Sequence, residues 1–208
     1  LRQHPEASRV EIAGSYRRGK ETLHDLDFLV ATTNPDALTT FFTQLPGIHE
    51  IIAHGQTKAS IRLENGLQCD LRAISNGEWP FALMYFTGSK EHNVELRSQA
   101  LKQGLTLNEY HLKPVENSGR TDPTPGLHEE EDVYRELGLQ FIDPSLRENR
   151  GEFEAAIEGE MPLLVEQENI RGTIHNHTTE SDGRSTLAEM VEAAKSARTS
   201  ERFRNSWC

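Results

Sequence analysis

Two short runs of alternating residues, separated by Glu64-Asn65-Gly66, constrain the fold of this chain more than any other feature. The runs cover residues 59–63 and 67–74 and carry apolar side chains at every second position. An Asn-Gly pair between alternating runs is the strongest short-range signal for a β-hairpin. The sequence therefore predicts two antiparallel strands joined by a tight turn.

Further elements are predicted on both sides of this hairpin. Strands are expected at 10–13 and 26–32, and Asn34-Pro35-Asp36 caps a helix that runs to about Gln44. Residues 79–103 form two helices broken at Thr87-Gly88-Ser89, and 105–112 is a last extended piece. The expected fold class is mixed α/β (α+β), with an antiparallel-leaning sheet and helices on one face.

Charge and composition narrow the function classes. The net charge is −11, which at face value argues against a nucleic-acid binder. Residues 1–113 are nearly neutral, however, with 12 basic and 13 acidic side chains, whereas 114–208 carry 10 and 20. The first half therefore stays open to polyanion chemistry. No apolar run is long enough for a membrane span, no signal peptide is recognisable, and two cysteines fit a reducing cytoplasm.

The densest cluster of charged residues begins at Gly14-Ser15, directly after the first predicted strand. A Gly-Ser pair in this position can open a helix whose free backbone amides face an anion. Arg17, Arg18 and Lys20 follow at once and supply cationic donors for phosphate oxygens. The cluster favours a phosphate-binding site, with a solvated turn as the alternative.

Three carboxylates on predicted strands add a candidate metal site. Asp25 and Asp27 are two residues apart on a strand, so both side chains project from the same face. Two such acids repel each other unless a cation lies between them, and a divalent cation bound through oxygen is the usual solution. Asp70, on the second hairpin strand, supplies the third carboxylate of a two-metal phosphoryl-transfer site. The alternatives are a solvated strand face and an ion pair of Asp70 with Arg72 or Arg62.

Four motifs in order within residues 9–112 resemble family X DNA polymerases, members of the nucleotidyltransferase superfamily. They are GSYRRGKETLHDLDFLV, LQCDLRAI, ALMYFTGSKEHNVELRSQAL and GLTLNEYHL. The resemblance implies a palm and a thumb-like region that add a dNMP to a primer 3′-hydroxyl and release pyrophosphate. The implied partners are a dNTP and gapped or primer–template DNA in repair, and we expect a monomer that binds no membrane. His24 departs from the family, which commonly has a small residue before the first acid.

The same resemblance implies roles for individual residues. Two Mg²⁺ ions and the catalytic chemistry are assigned to three carboxylates, Asp25, Asp27 and Asp70. The residues implied to bind the nucleotide are Gly14, Ser15 and Arg18 on its triphosphate, Tyr85, Phe86 and Gly88 on its sugar, and Asn93 near its base. Arg97 is implied to lie towards the DNA template strand.

The second half resembles the junction into a PHP domain of bacterial family X polymerases, through EEEDVYRELGLQFIDPSLREN and IRGTIHNHTTESDGRSTLAEMVEAAKSA. A PHP domain is a metal-dependent phosphoesterase module that serves as a nuclease in these proteins. His175 and His177 on one side of a strand, with Asp182 nearby, suit Zn²⁺ or Mn²⁺. The chain stops about thirty residues into this domain. We therefore expect a truncated PHP domain with an incomplete metal site and no nuclease activity.

The domain organisation that follows is a palm over 1–76, a thumb-like region over 77–143, a linker over 144–170 with a solvated helix, and the start of a PHP domain over 171–208. Three other functions stay open. The first is a nucleotidyltransferase for RNA, protein or small molecules. The second is a PHP-type phosphoesterase or exonuclease, and the third is an inactive remnant that only binds nucleotide or DNA.

Overall fold

A computed structural model of the chain describes residues 1–123, 125–166, 169 and 175–199, with side chains described up to residue 196. The chain divides into two compact units, Leu1–Met161 and Pro162–Cys208. Within the described residues, no helix combines the length and apolar character that a membrane crossing requires.

The first unit opens with a five-stranded sheet and two short helices. The elements are β1 (Arg9–Ile12), α1 (Gly14–Arg17), β2 (Asp25–Ala31), α2 (Pro35–Thr43), β3 (Ile48–His54), β4 (Lys58–Leu63) and β5 (Gln68–Ile74). The strand order is β1-β2-β5-β4-β3, and every neighbouring pair is antiparallel except β2 and β5, which run parallel. The predicted hairpin of β4 and β5 and the mixed sheet are confirmed. Strand β3 was not expected, because its residues after Ile48 are exposed and show no alternation.

Helices cover both faces of this sheet, which amends the expectation that they share one. Val30 of β2 packs with Leu38 and Phe42 of α2 on one face. Its neighbour Leu29 points the other way and packs with Trp79 of the next helix. The sequence indicated which residues alternate along β2, but not that both sets would be covered.

The rest of the first unit is helical around its own core. It comprises α3 (Trp79–Thr87), α4 (Lys90–Lys102), β6 (Leu105–Leu107), β7 (Leu112–Pro114), α5 (Glu130–Glu136), a 3₁₀ turn (Pro144–Leu146) and α6 (Glu152–Glu158). The helix break at residues 87–89 is confirmed. The single extended piece expected at 105–112 is instead a hairpin of β6 and β7. Helix α6 was expected to be solvated, but Phe153 and Ala156 are buried in the core with Tyr134 and Leu96.

The second unit contains α7 (Leu187–Thr199). Residues 175–178 have no regular secondary structure, so the expected strand carrying His175 and His177 is not found among the described residues. Residues 170–174, where that strand would begin, lie outside the described residues, as does the tail 200–208.

Candidate active site

The parallel pairing of β2 and β5 brings the three candidate carboxylates to one face of the sheet. Asp27 is in register with Asp70, and Asp25 is in register with Gln68. Because side chains alternate along a strand, Asp25, Asp27 and Asp70 all project from the same side. We call these three carboxylates the acidic wall. The spacing of Asp25 and Asp27 was readable from the sequence, whereas the position of Asp70 depends on a parallel contact between strands far apart in the chain.

Burial and negative charge outweigh the nearby positive charges around Asp27. Burial, together with the charges of Asp25 and Asp70, raises the pKa of Asp27 from 3.8 to about 6, although Arg72 and Lys58 act in the opposite direction. Only glycine fits at position 14 beside the Asp27 carboxylate. A Cβ there would lie 2.3 Å from Oδ2 of Asp27, and the φ of Gly14 is +59°. A bound cation would relieve the repulsion, and carboxylate oxygens are the ligands that Mg²⁺ prefers. The acidic wall therefore fits a divalent metal site by charge and donor type.

The Asp70 carboxylate is turned towards its own strand neighbours. Its Oδ1 accepts a short hydrogen bond from the Ser60 hydroxyl, and its Oδ2 accepts one of 3.0 Å from Nε2 of Gln68. As they stand, no three carboxylate, imidazole or thiol groups in the described residues are placed to bind one ion together. The expected alternative, an ion pair with Arg62 or Arg72, is not formed. Arg62 lies 3.6 Å from Glu50 instead.

Most of the candidate residues, Asp25 and Asp27 included, meet at an open cleft of about 510 Å³. This cleft is lined by residues from α1, β2, α3 and α4, and ten of the eleven residues implied to form the polymerase site are among them. They are Gly14, Ser15, Arg18, Asp25, Asp27, Tyr85, Phe86, Gly88, Asn93 and Arg97. Asp70 lies beside the cleft, not on its lining. The structure thus brings the candidates together, while the role of each stays a prediction.

Helices α3 and α4 form the other side of this cleft and are joined across their break. Asn93 donates through Nδ2 to the carbonyl oxygen of Tyr85 at 2.7 Å. The ring of Phe86 lies 5.0 Å from the Arg72 guanidinium carbon, a cation–π contact. Arg72, one of the charges that favour ionised Asp27, is a site residue that the sequence presented only as an ion-pair partner.

The three cations after Gly14-Ser15 are already bound to acids or carbonyl groups. We call Arg17, Arg18 and Lys20 the cationic cluster. Arg17 donates to Oγ1 of Thr87 at 2.8 Å and to Oε2 of the buried Glu130 at 2.5 Å. Arg18 and Lys20 both contact Oε1 of Glu148, at 2.9 Å and 3.1 Å. Both acids lie beyond residue 129 in the chain, so no local pattern could have paired them with residues 17–20.

A buried hydrogen-bond network connects α4 with α5 and α6 near the end of the first unit. Nδ1 of His92 lies 2.9 Å from Oε1 of Glu152, and its Nε2 lies 2.8 Å from the Tyr134 hydroxyl. Burial lowers the pKa of His92 to about 4, with Arg147 adding to the shift and Glu152 opposing it. His92 is therefore a neutral hydrogen-bonding group in this fold at neutral pH, and α6 is tied to α4 through it.

In the second unit, His177 and Asp182 are bound to each other. Nδ1 of His177 makes a short contact with Oδ1 of Asp182, and the rings of His175 and His177 are 4.9 Å apart. The three candidate ligands are therefore neighbours. They do not converge as a metal site in the described residues, and the PHP assignment stays a prediction.

Comparison with known proteins finds similarity to DNA polymerases. A family model described as DNA polymerase beta thumb matches residues 82–148. DNA polymerase/3′-5′ exonuclease PolX of Bacillus subtilis (strain 168) is 37% identical over 183 residues, which is 87% of this chain and 31% of that protein. DNA polymerase lambda of Rattus norvegicus is 30% identical over 164 residues, 65% of this chain and 28% of that protein. Repair DNA polymerase X of African swine fever virus is 26% identical over 147 residues, 66% of this chain and 80% of that protein.

In this chain a mixed sheet with a three-carboxylate face is followed by residues that match the DNA polymerase beta thumb model. The chain belongs to family X of the DNA polymerases. It spans less than a third of the length of the first two relatives, at 31% and 28%.

Proposed function

We propose that this chain carries the polymerase activity of a gap-filling repair enzyme, which adds a dNMP to a primer 3′-hydroxyl and releases pyrophosphate. The observation that carries the proposal is the single cleft lined by ten of the eleven candidate residues, with Asp27 in register with Asp70. The two relatives named as a repair polymerase and as PolX support the same conclusion.

In this proposal each side of the cleft has its own task. Asp25 and Asp27 would hold two Mg²⁺ ions, and Asp70 would complete the site of one of them. Bound there, the ions would lower the pKa of the primer hydroxyl and neutralise charge on the triphosphate. Asp70 would have to leave one of its hydrogen bonds with Ser60 or Gln68 to take part.

The rest of the cleft holds the nucleotide. Gly14, Ser15 and Arg18 bind the triphosphate, and Arg18 contributes a guanidinium whose planar donors match phosphate oxygens. Tyr85, Phe86 and Gly88 pack against the sugar, Asn93 lies near the base, and Arg97, which is exposed on α4, lies towards the template strand.

The domain organisation is also part of the proposal. We place the palm at 1–76, the thumb at 77–143, the linker at 144–170 and the start of a PHP domain at 171–208. The PHP part would hold Mn²⁺ or Zn²⁺ through His175, His177 and Asp182. We further propose a monomer in a reducing cytoplasm, consistent with the free, buried thiol of Cys69.

A primer-extension assay on DNA with a one-nucleotide gap tests the function. We expect the 208-residue chain to add the templated nucleotide with Mg²⁺ and to stop when the metal is chelated. Binding of dNTP and gapped DNA without any extension would contradict the proposal and identify an inactive binder. Addition to RNA or protein, with none to DNA, would identify another nucleotidyltransferase.

A further inference from the structure

Arg17 and Arg18 are adjacent in sequence but have different surroundings. Both η nitrogens of Arg17 are used, one on Thr87 Oγ1 and the other on the buried Glu130 carboxylate. Arg17 is not part of the cleft lining, whereas Arg18 is. Of the two arginines, Arg18 is therefore the one placed to meet a ligand.

The guanidinium of Arg18 is held by acceptors from two separate parts of the chain. Its Nε donates to Oε1 of Glu148 at 2.9 Å, and its Nη1 donates to the carbonyl oxygen of Thr87 at 2.5 Å. Two acceptors in different directions fix both the position and the plane of the group. Within the described residues no hydrogen bond or ion pair uses Nη2 of Arg18, which leaves donors for a ligand in the cleft.

Glu148 holds Arg18 without occupying the cleft. Its carboxylate is not part of the lining, and its side chain is 21% exposed beside the 14% exposed side chain of Arg18. Oε1 of Glu148 also lies 3.1 Å from Nζ of Lys20, so one oxygen holds two cations. Burial opposes ionisation of Glu148, but its hydrogen bonds with Arg18 and Lys20 outweigh this and lower its pKa.

The backbone that carries Glu148 is itself anchored. The preceding residue, Arg147, is fully buried and donates to the Ile142 carbonyl at 2.9 Å and to Oε1 of Glu130 at 2.7 Å. The carbonyl oxygen of Arg147 accepts a hydrogen bond of 3.0 Å from the backbone nitrogen of Ser89. Glu148 therefore extends from a rigid point, as a group that orients another side chain requires.

We propose that Glu148 is a positioning residue that orients Arg18 for a triphosphate in the cleft. The inference rests on the proposed function only in taking the cleft as a triphosphate site. Without Glu148, Arg18 keeps its charge but loses one of its two fixed contacts, and binding must then pay the cost of ordering a long side chain. Loss of this order corresponds to roughly tenfold weaker triphosphate binding.

Calorimetric binding of inorganic tripolyphosphate tests this independently of DNA synthesis. We expect Glu148→Ala to weaken binding roughly tenfold, and Glu148→Gln, whose amide oxygen can still accept from Arg18, to restore it. The matched control is Glu50→Ala. Glu50 lies on the edge strand β3, where its carboxylate is 3.6 Å from Arg62, and its removal should leave binding unchanged. In gap filling, Glu148→Ala should raise the KM for dNTP with little change in kcat.

The outcomes separate this inference from the proposed function. Tripolyphosphate binding by Glu148→Ala as tight as, or tighter than, that of the unchanged protein would overturn the positioning role. The Glu148 carboxylate would then either have no effect on binding or compete with the ligand for Arg18. Failure of the unchanged protein to bind tripolyphosphate would instead count against the triphosphate site itself. If Glu148→Ala does not fold, Glu148→Gln and Glu148→Asp decide, since the shorter aspartate should weaken binding and glutamine should not.

Discussion

The acidic wall and the cationic cluster both contribute residues to one cleft but differ in how their charges are compensated. In the acidic wall, Asp27 has a raised pKa of about 6 because it is buried beside Asp25 and Asp70. In the cationic cluster, the acids that bind Arg17 and Arg18 have lowered pKa values. Glu130 is buried and Glu148 is partly buried, but in both the neighbouring cationic side chains outweigh the cost of burial.

This difference indicates that the acidic wall serves to bind a ligand, whereas the cationic cluster mainly supports the fold. The acidic wall is compensated only in part by Arg72 and Lys58, so it gains most from a cation that arrives from outside. The charges of the cationic cluster are compensated by acids of the chain itself, and these ion pairs join segments that are far apart in the sequence. Of its members, Arg18 both lines the cleft and contacts an internal acid.

The largest effect is expected from Asp27→Asn and Asp70→Asn. Each removes a ligand charge from the acidic wall, so we expect magnesium-dependent extension to fall roughly 10³-fold or more. The measurement is single-turnover extension on gapped DNA. Asp36→Asn, an exposed acid in the first turn of α2, is the control and should retain activity. Near-normal turnover by Asp27→Asn would show that the acidic wall is not the metal site.

Glu130→Gln tests whether the cationic cluster is structural. It would leave buried Arg147 and Arg17 without their carboxylate, so we expect a loss of about 3–5 kcal/mol in the free energy of unfolding. Urea denaturation measures it. The adjacent exposed Glu131→Gln should change stability by less than about 0.5 kcal/mol. Similar small losses in both variants would mean that the buried pair adds little.

His92 predicts a loss of stability on acidification. Its pKa is about 4 in the folded chain and near 6.5 when exposed, so below pH 6.5 the unfolded chain binds more protons. Stability should fall as the pH drops from 6.5 to 4, by about 3 kcal/mol from this residue. His92→Gln should flatten that part of the curve, while exposed His54→Gln should not. Equal pH dependence in all three proteins would contradict a neutral buried His92.

The smallest effect concerns the metal-free acidic wall and has the opposite sign. Because the folded pKa of Asp27 is raised, its contribution to stability is lost as the pH rises from about 4 to 6. Asp27→Asn should therefore stabilise the metal-free protein at pH 7 by about 1 kcal/mol, allowing for partial exposure. Thermal unfolding with EDTA measures this. Addition of Mg²⁺ should stabilise the unchanged protein but not the variant.

Local patterns predicted much of the sheet and part of the site. The turn at Glu64-Asn65-Gly66 also sets the register that places Ser60 opposite Asp70, so the hydrogen bond between them could have been anticipated. The parallel pairing of β2 and β5 could not, because parallel strands have no short turn to fix their register.

Contacts between residues far apart in the chain could not be predicted from the sequence. Glu148 binds a side chain 130 residues earlier, whereas the sequence predicted that it lies in a linker with a solvated helix. Helix α6 was misjudged for the same reason, since its short pattern gives no sign that Glu152 and Phe153 meet His92. A buried ion pair or hydrogen-bonded histidine carries no hydrophobic periodicity to reveal it.

Manganese binding by the 208-residue chain, followed by electron paramagnetic resonance with and without dNTP, tests the central claim most directly. We expect Mn²⁺ to bind at the acidic wall, more tightly with dNTP present, and this binding to be lost in Asp27→Asn but retained in His177→Ala. Nucleotide-enhanced Mn²⁺ binding that survives in Asp27→Asn would contradict the account, because the acidic wall would not then be the metal site of this chain.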